Sequence, residues 1–246
     1  MKNLFIFIVF ILVFVFIFVR SAMAQSVDDI INQYIIARGG IDKLNAVTSI
    51  TFEGTREMMG NRVQVKIAKV QGKLFRTDFE YAGNRGFSIV TPDQGWAYMP
   101  VSSYEPEAIP THMLKQARKE LDIMGPLVNY RMKGYQATLQ GKKIINGNEC
   151  HQVQLISPDG KEAFYYIDTK TSLLVQSRQA AESNSQHTEK EPQQLVTNFS
   201  NYKDFSGVLF PQTIETESTG VDVGILTFDK IEVNMPVDEK WYIRGN

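Results

Sequence analysis

The side chains best equipped for chemistry in this sequence are few: His112, His151, His187 and a single cysteine, Cys150. A metal site needs three or four donors at short spacings, and neither a CxxC pair nor an HExxH helix occurs. Cys150 and His151 are neighbours in the chain, but consecutive side chains of a strand point to opposite faces. His151 then shares its face with Val153 and Leu155, and Cys150 shares the other with Gln152 and Gln154. No catalytic partner stands beside His151, and no group beside Cys150 would activate a thiol. The acidic pair Asp28-Asp29 suits a helix start better than acid–base work. A GxSxG elbow, a P-loop and a dinucleotide fingerprint are all missing. The expectation is a non-enzyme with no catalytic residue, no metal and no cofactor. A hydrolase stays open as an alternative, because a fold does not fix a function.

The segments that would position these residues are mostly strands. Ser26 to Ala37 reads as a helix, capped by Ser26, with Val27, Ile30, Ile31, Tyr34 and Ile35 on one face and Gly39 as its stop. A short second helix follows Gly39-Gly40, with Leu44 and Val47 facing inward. From Ser49 the period changes to two, and Met59-Gly60-Asn61 marks a hairpin turn. Strands are predicted over Leu74 to Tyr81, Gly86 to Thr91 and Gln94 to Met99. Pro110 to Met124 then has helical spacing, ended by Gly125-Pro126. Strands resume over 138–145, 149–156, 161–168, 173–179, 195–205, 208–217 and 225–233, interrupted by a polar loop at Ala180 to Gln194. Short alternating strands joined by tight turns predict an α+β, mainly antiparallel fold rather than βαβ units. Roughly ten or more strands in one sheet should curl strongly.

The chain begins with an address label. Lys2 precedes an unbroken apolar run from Leu4 to Val19, and Ala22-Met23-Ala24 supplies the small-x-small pattern read by signal peptidase. Residues 1–24 are expected to be a signal peptide cleaved after Ala24, leaving 25–246 as one domain. Lys2 and Arg20 leave with it, so 24 of the 26 Lys and Arg remain against 27 acidic residues. That balance offers no basic stripe for nucleic acid. One cysteine allows no internal disulfide, so stability must come from a conventional core.

A curved sheet has a concave face, and helices that cover without filling it leave a ligand cavity. The lining expected from the strands is Phe52, Val65, Ile67, Phe75, Phe79, Trp96, Tyr98 and Tyr165. The intervening helix adds Met113, Leu114, Leu121 and Met124. Methionine and aromatic surfaces adapt to apolar ligands of different shape. The competing reading is that these groups simply pack on one another as core.

At this level the chain resembles the lipoprotein-sorting proteins related to the LolA and LolB carriers. The matching stretches are Tyr34-Ile35-Ile36-Ala37-Arg38-Gly39-Gly40, Gly95-Trp96-Ala97-Tyr98-Met99-Pro100, Tyr166 to Leu174 and Gly207-Val208-Leu209-Phe210-Pro211. The resemblance implies an open β half-barrel closed by helices on its concave face. It implies a monomeric periplasmic carrier of lipoprotein acyl chains or a related lipid, with envelope transport proteins as partners. A non-catalytic module that binds another envelope protein is the alternative. One departure stands out. Where the family has an arginine that helps to hold its helical lid shut, this sequence has Gln71, with Arg76 as a candidate substitute.

Overall fold

The computed structural model describes residues 25–58, 60–81, 83–100, 103–180, 194–218 and 221–244. The expected signal peptide, His187 and the polar stretch between Ala180 and Gln194 lie outside them. Ser26 opens the first helix, α1 (Val27–Ala37), with a reciprocal cap: its hydroxyl accepts from Asp29 N–H, and the Asp29 carboxylate accepts from Ser26 N–H. Gly39 must be glycine, because a Cβ there would lie 2.2 Å from the Gly207 carbonyl oxygen. Gly40 then leads into α2 (Ile41–Asn45).

The alternating segments form two meanders. The first comprises β1 (Ser49–Met58), β2 (Asn61–Val70), β3 (Leu74–Tyr81), β4 (Asn84–Val90), β5 (Gly95–Tyr98) and β6 (Glu107–Ala108). The second comprises β7 (Gln136–Ile145), β8 (Asn148–Ile156), β9 (Glu162–Asp168), β10 (Leu174–Ala180), β11 (Gln194–Phe205), β12 (Val208–Ser218) and β13 (Val221–Val233). Antiparallel pairing of β1 with β13, with Phe52 opposite Ile231, joins them into one 13-stranded sheet. β6 and β7 are its two ends and do not pair with each other, so the sheet is not closed into a barrel. Among the described residues no helix is long and apolar enough to cross a membrane.

Both faces of the sheet carry a core. On the helix side, Ile30, Ile31 and Tyr34 of α1 pack with Ile50, Ile67, Val153, Leu155, Ile167, Phe210 and Phe228. On the outer side, Val70, Leu74, Phe87 and Ile89 are covered by Trp241 from a 3-10 turn near the C-terminus (Glu239–Tyr242). Register decides the face of the β5 aromatics, and it corrects the sequence reading. Trp96 sits opposite Ile89 and Tyr98 opposite Phe87, so both belong to the outer side and not to the expected lining.

The interposed helix is also shorter than its apolar spacing predicts. α3 covers Thr111–Ala117, and Arg118–Leu121 tightens into a 3-10 turn. The β2–β3 turn supplies the reason. Gly72 N–H donates to the Leu121 carbonyl, and the Gln71 side-chain carbonyl accepts from Ile123 N–H. Those backbone groups are satisfied by the sheet, so a continued helix has nothing to gain.

Candidate functional site

Alternation along each strand builds the helix side residue by residue. Phe52 lies opposite Ile67, and Val65 lies opposite Phe79 on the neighbouring strand. The Phe79 ring lies across Gly86, where a Cβ would come within 2.2 Å of it. Phe75 faces Val90, which packs with Leu114 and Leu121 of the α3 segment. In the second meander Tyr165 stands opposite Val153, and Phe199, Ile214 and Leu226 form a row across β11, β12 and β13. Val65, Ile67, Leu114, Leu121 and Met124 are buried, whereas Phe52, Phe75, Phe79 and Tyr165 are half-buried. Met113 is 47% exposed and turns away from the sheet. Phe199, Ile214 and Leu226 were absent from the expected lining, although the alternation that marks β11–β13 as strands also marks them.

Arg38 is the functional-site residue that sequence reasoning passed over. It sits in a stretch quoted above for its family resemblance, yet its side chain is only 6% exposed. Its Nε donates to the Leu209 carbonyl at 3.1 Å, and one terminal nitrogen donates to the Tyr34 hydroxyl at 3.0 Å. The same nitrogen reaches the Met124 carbonyl at 3.4 Å. The guanidinium lies between the Tyr34 and Phe210 rings, 5.7 and 5.2 Å from their centroids. Leu209 N–H donates back to the Arg38 carbonyl at 2.9 Å. Two of the stretches that carry the resemblance, 34–40 and 207–211, therefore touch each other beneath α1. No carboxylate among the described residues pairs with this arginine, so carbonyls, a phenol and two ring faces carry its charge.

The segment 111–125 is fastened unevenly. Its C-terminal end is held by Gln71, by the Lys69–Glu120 ion pair and by Lys133, which bonds both Asp122 and the Gly125 carbonyl. Lys69 holds the Glu120 carboxyl below its usual range. The neutral Gln71 thus ties this segment down through hydrogen bonds. Arg76 does not substitute for the family arginine. It faces the outer side, forks onto Asp78 and donates to the carbonyls of Trp241 and Ile243. Toward the second meander, α3 reaches the β8–β9 turn through the Lys115–Asp159 pair at 3.2 Å. Hydrogen bonds from Ser157 and then Lys115 lower the Asp159 carboxyl to about 2.

His151 and Cys150 take the opposite faces expected of them. His151 is buried opposite Ile167, and burial followed by nearby Lys142 lowers its pKa, favouring the neutral ring. Cys150 packs on the outer side with Ile145 and Tyr166, and burial pushes its thiol up to about 11. Such a thiol is a poor nucleophile at neutral pH. Among the described residues no group of three or more His, Cys, Asp or Glu side chains is placed to hold a metal ion.

No family model and no curated protein matches the sequence. Solved structures do match the fold. A LolA superfamily protein from Nitrosomonas europaea superposes with a TM-score of 0.57 at 11% identity, covering 89% of this chain and 98% of its own. A putative outer membrane lipoprotein-sorting protein domain from Vibrio parahaemolyticus gives 0.57 at 9% identity, covering 88% and 96%. A DUF1329 family protein from Desulfovibrio piger gives 0.56 at 12% identity, covering 89% and 98%. The fold is LolA-like, as the resemblance in the sequence implies.

Proposed function

We propose, from the LolA-like fold, that this chain is an exported, non-catalytic carrier of lipoprotein acyl chains or a related lipid. In this reading residues 1–24 direct export to the periplasm and are cleaved after Ala24. Residues 25–246 act as one monomeric domain whose sheet is concave on the helix side. The observation that carries the proposal is the belt of half-buried apolar side chains there: Phe52, Phe75, Phe79, Tyr165, Phe199, Ile214 and Leu226. An ordinary core would bury such groups fully, while a carrier keeps them available to a guest. Burial of acyl chains releases about 0.8 kcal/mol per CH₂, so a lipid tail does not cross water unaided at a useful rate. Carriage needs an apolar surface that opens and closes, and no bond is made or broken.

Native mass spectrometry of the protein purified from an envelope fraction tests this, together with uptake of a fluorescent fatty acid. Bound lipid and saturable uptake are expected. A protein consistently free of lipid that takes up no probe would end the carrier reading.

One observation favours a second reading, a module that binds another envelope protein. A groove of about 880 Å³ lies on the outer side, lined by Lys66, Arg76, Asp78, Phe87, Tyr98 and Arg244 among others. Loss of a partner on substitution there, with lipid uptake intact, would favour it.

The uneven fastening of 111–125 carries a prediction for the carrier. Asp159→Asn removes the ion pair that links α3 to the second meander and should speed ligand exchange about two- to fivefold, as suits an exposed pair. Salt at about 0.5 M should speed the unmodified protein similarly, by screening. The folded Asp159 pKa is depressed, so the stabilisation exists above the unfolded value near 3.8 and fades as pH falls through about 2. Exchange should therefore be insensitive to this group between pH 5 and 8. Stopped-flow displacement checks all three, and an Asp159→Asn rate equal to that of the unmodified protein would remove the clasp.

A further inference from the structure

The register of the second meander sets four hydroxyl side chains in one line across the helix side. Tyr165 of β9 pairs with Ser177 of β10, Ser177 with Thr197 of β11, and Thr197 with Thr216 of β12. All four point to the helix side. Tyr165 packs there with the main core, Ser177 is directly opposite it, and Thr197 and Thr216 lie two residues from Phe199 and Ile214. With strands about 4.8 Å apart, the line is about 14 Å long.

Mostly apolar rows border it on both sides. Phe199, Ile214 and Leu226 form the continuous one, and the other runs Leu155, Ala163, Gln179 and Leu195, with one amide between its apolar members. Neighbouring Ser and Thr on a sheet commonly bond to each other. Here none of the four hydroxyls makes a hydrogen bond within the described residues, and all four side chains are half-buried. Half-buried polar groups without partners, set beside an apolar row, are the pattern by which a pocket orients a mostly apolar ligand.

We infer that this hydroxyl line receives the carbonyl groups of an ester- or amide-linked acyl lipid, while an acyl chain lies along the bordering Phe199, Ile214 and Leu226 row. The inference rests on the carrier reading and names its ligand class: an acylated molecule carrying its linkage carbonyls, rather than a bare hydrocarbon. Hydroxyls donate to carbonyl oxygens without bringing charge into the apolar face. Burial raises the Tyr165 pKa, so the phenol keeps its proton and remains a donor.

The test uses two probes of equal chain length, dioleoylglycerol and its dioleyl ether analogue, which lacks both carbonyls. Binding to the full mature chain is measured by displacement of a fluorescent fatty acid. The unmodified protein should favour the ester about tenfold, since several neutral hydrogen bonds separate the two probes. In Ser177→Ala/Thr197→Val/Thr216→Val, which keeps the Thr shapes, that preference should fall to the share that Tyr165 supplies while ether binding stays the same. Tyr165→Phe, a milder change, should lose part of the preference and guards against misfolding of the triple variant. Equal binding of both probes by the unmodified protein overturns the inference and leaves the carrier reading standing. An ester preference that survives both variants does the same. Binding of neither probe, with no fatty-acid uptake, overturns the carrier reading and the inference together.

Discussion

Arg38→Ala should lower the free energy of unfolding by about 3 kcal/mol, one of the two largest single-residue effects expected here. The change orphans the Leu209 carbonyl and the Tyr34 hydroxyl, loosens the contact with the Met124 carbonyl and empties space between two rings. Hydrogen bonds to charged donors contribute about 1.5–3 kcal/mol each. The sum is reduced because the desolvation cost of a charge without a carboxylate partner disappears as well. Arg38→Met, which refills the volume but leaves the Leu209 carbonyl and the Tyr34 hydroxyl without their donor, should recover only the packing part of the loss. Urea denaturation at unchanged m-value measures both. An alanine variant within about 1 kcal/mol of the unmodified protein would show that this junction is not a fastening point. The Met124 carbonyl ends the segment that carries α3, so the alanine variant should also exchange ligand faster.

Trp241→Ala should cost about 2–3 kcal/mol while leaving lipid uptake unchanged. The indole covers Val70, Leu74, Phe87 and Ile89 on the outer side, and Leu74 is fully buried beneath that cluster. Removing it uncovers apolar surface and frees the chain end that Arg76 holds by its carbonyls. The estimate sits at the low end for tryptophan because the indole is only partly buried. Thermal unfolding reads the stability, and titration with a fluorescent fatty acid reads the uptake. Parallel loss of uptake and stability would mean that the two faces do not act separately. The contrast with Phe79→Ala, on the helix side of the same strands, makes the test sharper: there uptake should fall more than stability.

Much of the fold was legible because it is local. The Ser26 cap, the turn at Gly60 and the alternation along β2 or β8 depend on residues close together in the chain. Local chemistry likewise marked Cys150 and His151 as facing opposite ways. Where two long-range terms met, legibility ended. The apolar spacing of 110–124 predicted one continuous helix, but the β2–β3 turn takes the Leu121 carbonyl and the Ile123 N–H, and the helix tightens and stops. Gly95-Trp96-Ala97-Tyr98 alternates as a strand should, yet alternation says only that Trp96 and Tyr98 share a face, not which face meets the helices.

The sequence by itself determined an antiparallel meander with a capped N-terminal helix, a short set of reactive side chains with no partners beside them, and a likeness to lipoprotein-sorting proteins. Period-two patterns and turn residues encode those features within a few positions of each other. The tertiary structure alone decided that β1 closes against β13, that Arg38 meets the Leu209 carbonyl 171 residues away, and that Tyr165, Ser177, Thr197 and Thr216 stand in line. Register is the physical reason. A shift of one residue in any strand pair would turn that line to the other face, and no local signal fixes register between strands far apart in the chain.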